Sequence, residues 1–347
     1  MIQTLTRRPL LLPFNPLYRL ALTLREFRLS SGLEPIRRLR SPVISIGNLS
    51  TGGSGKTPLT IALTQALTRR GIRVDVLSRG YGRHGSLPAR VSPQGSAHEY
   101  GDEPLLIARA TGLPVYVARH RLDAGILAES ESLAPDPQLA APIPTVHILD
   151  DGFQHRQLHR DIDIVLVQHA DFHERLLPAG NLREPFSALG RGDIVAIPAP
   201  ETDSAPDQKF DPEPELRARG FQGHLWRLHR RMDVPPIHGL AIAFCGIARP
   251  EQFFAGLVSA GIQLAGRIAF PDHHPYTPTD VNKLISAARA TKAIALLTTE
   301  KDAVRLGPLA ASFPPDLQVV PVPLRTEIDE EPAALDDLLA RLGAIQS

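Results

Sequence analysis

The sequence predicts an α/β protein: a P-loop NTPase-like, mostly parallel sheet with helices on both faces, joined to a smaller α/β unit and preceded by a basic amphipathic helix. Three observations predict it. Short β-branched apolar runs alternate with runs of helical spacing along nearly the whole chain, the alternation that βαβ units impose. One of those strands, Val43 to Ile46, passes through a turn of small residues into a helical run that follows Lys56 and Thr57, which is the order of a phosphate-binding loop. Residues 1 to 40 carry eight arginines against two glutamates, a local charge of +6, interspersed with Leu17, Leu20, Leu24 and Phe27 at helical spacing.

The whole chain sets broad bounds. Its 347 residues suit two domains, and 43% apolar with 22% charged residues is the composition of an ordinary soluble globule. A net charge of +1 gives no global field that would draw nucleic acid. Cys245 stands alone, which excludes an internal disulfide and suits a reducing compartment. His155 with His159, and His169 with His173, are spaced four apart, but without cysteine clusters or an H-E-x-x-H pattern they argue against zinc. The expected division is a membrane-associating segment at 1–40, a P-loop domain at 41–200, a linker at 201–222 and a smaller α/β unit at 223–347.

The N-terminal segment has no window of the roughly 18 to 20 uncharged apolar residues that a spanning helix needs. Nor does it have the small-residue cleavage site of a signal peptide. A basic helix lying in the interface of an anionic membrane satisfies both its charge and its apolar face; packing against its own domain is the alternative. The next stretch is the phosphate loop, S-T-G-G-S-G-K-T at 50 to 57. Ser50, Thr51, Gly52, Gly53, Ser54 and Gly55 would let backbone N–H groups converge on an anion at a helix start. Lys56 would reach the β- and γ-phosphates of ATP and Thr57 would hold Mg²⁺. Ser50 stands where the general motif has its first glycine.

Residues 73 to 77 form the second strand, and S-R-G-Y-G follows it at 78 to 82. Loops at the C-terminal ends of parallel strands line the ligand crevice, so Arg79 and Tyr81 are candidate substrate contacts. Residues 85 to 97 read as an excursion over a substrate. Asp102 and Glu103 begin the helical run Leu105 to Ala110, where an acid also serves as a cap. Val115 to Ala118 is a strand, then Arg121 precedes a helix, and a Pro- and Ala-rich connector spans 132 to 144. The strand from Thr145 ends in Asp150 and Asp151, the place for an Mg²⁺-directed acid in a P-loop protein. Strands at 163 to 167 and 192 to 197 flank the loop L-P-A-G-N-L-R-E-P, whose Arg183 suits a phosphate clamp. Beyond the linker come strands at 239 to 245, 262 to 270 and 293 to 297, with helices at 250 to 260, from 279 and from 298. Asp272 and His273 lie between two of them.

Taken together, G-N-L-S-T-G-G-S-G-K-T-P, S-R-G-Y-G, G-D-E-P, D-D-G-F-Q-H, L-P-A-G-N-L-R-E-P, the D-H at 272 and 273 and T-E-K-D-A-V at 299 to 304 closely resemble the tetraacyldisaccharide 4′-kinase family. The ordered set covers nearly the whole chain, though the Pro-rich stretches at 132 to 144 and 201 to 216 have no counterpart. The resemblance accounts for Ser50, since the family tolerates Ser or Thr there. It implies ATP- and Mg²⁺-dependent phosphorylation of the 4′-hydroxyl of a lipid A disaccharide 1-phosphate precursor, at the cytoplasmic face of the inner membrane. It further implies Asp102 as general base with His273 as its partner, Lys56 on the γ-phosphate, and Asp150 or Asp151 on the metal. Arg121 and Arg183 match basic positions that would hold a phosphate.

Two other readings compete. A P-loop kinase or ligase for a soluble small molecule keeps Lys56, Thr57 and Asp150 but leaves the basic helix as packing. A nucleotide switch leaves Asp102 and His273 without a purpose, and the chain has no N-K-x-D guanine motif.

Overall fold

The structure is a computed structural model and describes residues 8–132, 145–199 and 211–346. The chain opens with a 3₁₀ turn, Pro9–Phe14, and the helix α1, Asn15–Ser30. There follow β1 (Val43–Asn48), α2 (Lys56–Arg69), β2 (Arg73–Ser78), β3 (Ala89–Arg90), α3 (Ala97–Tyr100), α4 (Asp102–Thr111), β4 (Val115–Val117), α5 (Arg121–Ser132) and β5 (Thr145–Asp150). Next come β6 (Ile162–Leu166), β7 (Ile194–Pro198), α6 (Glu213–Ala218) and β8 (His224–Met232). The rest is β9 (Ala241–Cys245), α7 (Pro250–Ser259), β10 (Leu264–Ala269), α8 (Pro278–Thr291), β11 (Ala295–Thr299), α9 (Glu300–Leu306), β12 (Gln318–Val322), β13 (Leu324–Ile328) and α10 (Glu331–Gln346).

Nine strands form one sheet in the order β13-β8-β7-β6-β1-β5-β2-β4-β3, and β10-β9-β11-β12 form a second, all-parallel sheet. In the large sheet only the outer pairs β13 with β8 and β3 with β4 run antiparallel. Strand periodicity divides its residues between two faces. Ile44, Ile46, Val74 and Val76 pack under α2, α4 and α10, whereas Val43 and Leu77 pack with Ala124 and Ala128 of α5. In the small sheet Ala241, Ala243 and Cys245 face α7, and Ile242 and Phe244 face α8. Both sheets are thus covered on both sides, as parallel strands require.

The expected boundary at 223 is corrected. β8 and β13, on either side of the small sheet in sequence, both join the large sheet, and Leu335, Leu338 and Leu342 of α10 sit in its core. The small unit is therefore an insertion between β8 and β13, reached and left by two adjacent antiparallel strands. The reason is the half-buried alternation of β8, where Trp226 and Leu228 turn inward and need a sheet edge to cover them. Of the expected linker, residues 201 to 210 lie outside the described residues, as do 133 to 144 of the earlier connector. The remainder is not a free tether: Leu216 of α6 and Phe221 are buried with Val165 and Val195.

Candidate active site

The site is assembled where β1, β2 and β5 end. Asn48 closes β1, is fully buried, and accepts a bond from Lys56 Nζ at 3.2 Å through its side-chain oxygen. The loop between them is pinned from outside by the 176 to 185 segment: Thr51 N donates to Asn181 O at 2.8 Å and Arg183 N to Leu49 O at 2.7 Å. Gly55 takes φ 93°, left-handed backbone that favours glycine, and begins α2 so that Lys56 and Thr57 are its first residues. Ser50, Ser54 and Thr57 are buried. Arg230 of β8 reaches the loop from the far side and donates to Ser54 O.

β5 delivers the paired acids to different surroundings. Asp151 takes φ 50°, one of four non-glycine residues with positive φ among those described, a strained geometry that concentrates at functional sites. Its carboxylate meets Lys56 Nζ at 3.4 Å and Arg183 Nη1 at 3.1 Å. Burial works to raise Asp151, but the charges of Lys56, Arg183 and Arg121 outweigh it and hold the group below its ordinary range. Arg121, itself buried, donates to Asp151 O at 3.3 Å, and the charges of Arg79 and Arg183 both bear on it. Two guanidinium groups, Arg121 and Arg183, and the Lys56 ammonium therefore converge beside one carboxylate, with the charge of Arg79 bearing on Arg121, an excess of positive charge suited to a phosphate.

Asp150 is buried and bonded by Ser78 Oγ at 3.2 Å on one oxygen, while its other oxygen has no partner. Burial, with Glu103 and Asp151 close by, pushes its carboxyl up to about 7. An orphaned, electrostatically crowded carboxylate oxygen next to the start of α2 fits a cation such as Mg²⁺, which takes one or two carboxylates and fills its shell with phosphate oxygens and water. No cluster of three or more His, Cys, Asp or Glu side chains with metal-holding geometry is present among the described residues.

The second cluster bridges the two sheets. Gly101, at φ 90°, turns the chain into α4; a Cβ there would lie 3.1 Å from the Gly80 backbone, so the S-R-G-Y-G loop and the start of α4 interlock. Asp102 follows, nearly buried, and its Oδ2 meets His273 Nδ1 at 3.2 Å and Arg305 Nε at 2.8 Å. Burial would raise Asp102, but the bonds from His273 and Arg305 and the charge of Lys301 hold it well below the usual carboxylate range. His273 takes φ 58°, and the bond to Asp102 lifts its imidazole above the ordinary value. Tyr81 is exposed, with its ring centroid 5.7 Å from that of His273. Glu103 pairs with Lys301 and feels the charge of Lys56, while Asp150 feels Glu103. The two clusters thus share one electrostatic neighbourhood.

A family model described as tetraacyldisaccharide-1-P 4′-kinase (LpxK) matches residues 7–343. The chain belongs to this family. Curated tetraacyldisaccharide 4′-kinases resemble it over most of their length: that of Koribacter versatilis is 37% identical, with 94% of this chain and 97% of the relative covered. That of Geobacter metallireducens is 39% identical, covering 90% and 95%. Among solved structures, the "apo" form of LpxK from Aquifex aeolicus in complex with ATP superposes with a TM-score of 0.71 at 32% identity, covering 96% of this chain and 98% of that one. The chain is therefore a kinase of the LpxK fold.

Sequence reasoning missed Asn48, Glu103, Lys301, Arg305 and Arg230, which the fold brings to Lys56, Asp150, Asp102 and Ser54. Asn48, Glu103 and Lys301 lie inside motifs that were legible, so a signal existed without a role attached. Arg305 and Arg230 gave none, because only folding brings them to Asp102 and Ser54.

Proposed function

We propose that this kinase transfers the γ-phosphoryl group of ATP to the 4′-hydroxyl of a tetraacyl disaccharide 1-phosphate, the lipid A precursor. The observation that carries the reading is the Asp102–His273 pair, joined across the two sheets and linked electrostatically to Lys56 through Glu103. Phosphoryl transfer asks for charge neutralisation and an oriented hydroxyl more than for covalent chemistry. Ser50 to Gly55 cradle the phosphates, and Lys56 meets the charge that develops on the transferred group. Thr57 and Asp150 would hold Mg²⁺, which when bound offsets phosphate charge; Asp151 orients Lys56 and Arg183. Arg79, Arg121 and Arg183 bind phosphate oxygens, and Tyr81 and His273 border the acceptor. Asp102 takes the hydroxyl proton as the oxygen attacks.

The acceptor carries acyl chains, and the N-terminus suits that. Leu10, Phe14, Leu17, Leu20, Leu24 and Phe27 are all more than half exposed, forming one stripe of α1 and the turn before it. The other side of α1 is fastened to the site. Tyr18 Oη donates to Arg183 O at 2.9 Å, Arg25 bonds Gln154 O, and Glu26 pairs with Arg156. This helix lies in the interface of an anionic membrane, at the cytoplasmic face of the inner membrane, with its apolar stripe in the acyl region. No helix among the described residues is long and apolar enough to cross a membrane. The exposed stripe disfavours a soluble small-molecule acceptor. The decisive test is an assay with γ-labelled ATP and the disaccharide 1-phosphate in mixed micelles. Label on the lipid at the 4′ position is expected; transfer to water or to soluble sugars alone would overturn the reading.

A further inference from the structure

We propose that Arg230, with Gln168, is a positioning residue for the phosphate loop: by holding the Ser54 carbonyl from outside, it aims the Gly55 N–H at the β-phosphate of the nucleotide and strengthens it as a donor. The proposal rests on the reading of residues 50 to 57 as the loop that binds the phosphates of ATP. Ser54 O accepts from Gln168 Nε2 at 2.9 Å and from Arg230 Nη2. Both donors come from the same side of the loop, since Gln168 follows β6, Arg230 lies on β8, and the sheet runs β8-β7-β6-β1. The peptide between Ser54 and Gly55 is trans, which sets its C=O and N–H in opposite directions. A carbonyl held by Gln168 and Arg230 therefore turns the Gly55 N–H away from both. That N–H makes no backbone hydrogen bond among the described residues and is free to take a phosphate oxygen.

Arg230 is not held there by an opposite charge. No carboxylate bears on it among the described residues: burial and the charge of Arg249 act on it, and both push its pKa down, to about 10. Its Nε is buried without a partner. The guanidinium lies against the loop itself, since a Cβ built on Gly55 would come within 2.5 Å of Nη2 and 2.7 Å of Cζ. A cation buried beside another cation destabilises a fold, so packing alone does not account for its place. A charged donor does have an effect on the carbonyl it bonds. Hydrogen bonds in series polarise one another, and those from an ionised donor are the stronger kind. With nucleotide bound, the β-phosphate oxygen, the Gly55–Ser54 peptide and Arg230 form one such series. The β-phosphate is common to ATP and ADP, so the contribution falls on nucleotide affinity more than on the transfer step.

Two measurements test this on the full-length enzyme. The first is an NMR experiment on protein made by cell-free synthesis with ¹³C-carbonyl serine and ¹⁵N-glycine. Ser-Gly occurs at 31–32 and 54–55 alone, so two signals appear, and that of Ser54–Gly55 is assigned by its loss in Ser54→Ala. Adding ADP with Mg²⁺ to the wild type should move the Gly55 amide proton downfield; an unmoved amide overturns the phosphate-loop reading and the proposal with it. In Arg230→Met without nucleotide, the Ser54 carbonyl carbon should move upfield. With ADP bound, its Gly55 amide proton should stay upfield of the wild-type position. A wild-type position there overturns the proposal, even if affinity falls, because Arg230 would then act on the nucleotide directly. The second measurement is affinity. The ADP Kd and the ATP KM of Arg230→Met should rise about tenfold, with a much smaller change in kcat, and Arg230→Lys, which keeps a charged donor, should recover part of the loss. Removing an unpaired buried cation should leave the urea midpoint of the nucleotide-free protein no lower than wild type, which separates a disordered loop from a damaged fold. A wild-type ADP Kd in Arg230→Met, with the wild-type amide still responding to ADP, overturns the proposal and leaves the phosphate-loop reading intact.

Discussion

At the scale of single residues, the proposed mechanism separates charge handling from proton handling. Lys56 lies between Asn48 and Asp151, and in the proposed mechanism its ammonium meets the charge that develops on the transferred group. Lys56→Ala should therefore cost about 10² to 10³ in kcat, measured with saturating ATP and lipid; near wild-type turnover would remove the lysine from the mechanism. Asp102 and His273 share one contact, through which the proposed mechanism has them act together. Groups that work as a unit lose activity non-additively. The double variant Asp102→Asn/His273→Ala should thus be little slower than the poorer single variant, with ATP Kd unchanged in all three. Losses that multiply would make them independent. Much of this was legible: Lys56, Thr57, Asp102, Asp150, Asp151 and His273 all fall at motif positions. Which oxygen meets which donor was not, because side-chain direction at Asp151 and His273 depends on left-handed backbone that the surrounding packing imposes.

At the scale of elements, two devices set the geometry. Gly101 turns the chain into α4 against the Gly80 backbone, and backbone atoms at 3.1 Å cannot give way as a flexible side chain would. Gly101→Ala, strained also by its φ of 90°, should destabilise the protein by about 1 kcal/mol or more. It should lower kcat through Asp102 while ATP Kd holds, checked by urea unfolding beside steady-state kinetics. The second device is buried under the sheet: His147 of β5 bonds Asp75 of β2 and lies 3.6 Å from Glu129 of α5. Burial alone would depress His147, but Asp75 and Glu129 outweigh it and raise its pKa. A raised folded-state value means that the protonated pair stabilises the fold fully below about pH 6.5, the unfolded value, and less as pH climbs through the folded one. Unfolding free energy should accordingly fall with rising pH above neutrality. His147→Leu should cost about 3 kcal/mol at pH 6 and flatten that slope; an unaltered slope would assign the pH dependence elsewhere.

At the scale of the whole molecule, the small sheet is inserted between two neighbouring strands of the large one, yet supplies His273, Lys301 and Arg305 to it. The N-terminal helix is fastened to the loops of Asp151 and Arg183 while its apolar stripe faces outward. Full-length protein should co-sediment with anionic vesicles, each basic residue at the surface contributing about 1 kcal/mol before screening. Added salt should weaken this binding without abolishing it, since the apolar contact is not screened. Protein lacking residues 1 to 30 should stay in the supernatant, and equal sedimentation of the two forms would sink the membrane assignment.

What the sequence determined by itself is what short-range chemistry encodes. Alternation of strand and helix specified the α/β class, glycine spacing before Lys56 specified the phosphate loop, and charge beside a helical apolar stripe specified the N-terminal element. These signals survive in a linear string because strand and helix periods, turn geometry and local charge act over a few residues. What tertiary structure alone decided is membership and meeting. β8 and β13 belong to the large sheet, although some 90 residues of sequence separate them, because strand pairing is non-local and an edge accepts whichever half-buried strand folding brings to it. Arg305 reaches Asp102 across 203 positions for the same reason: a contact between two sheets leaves no period, spacing or motif in either segment, only a charged residue that finds its partner once both cores have formed.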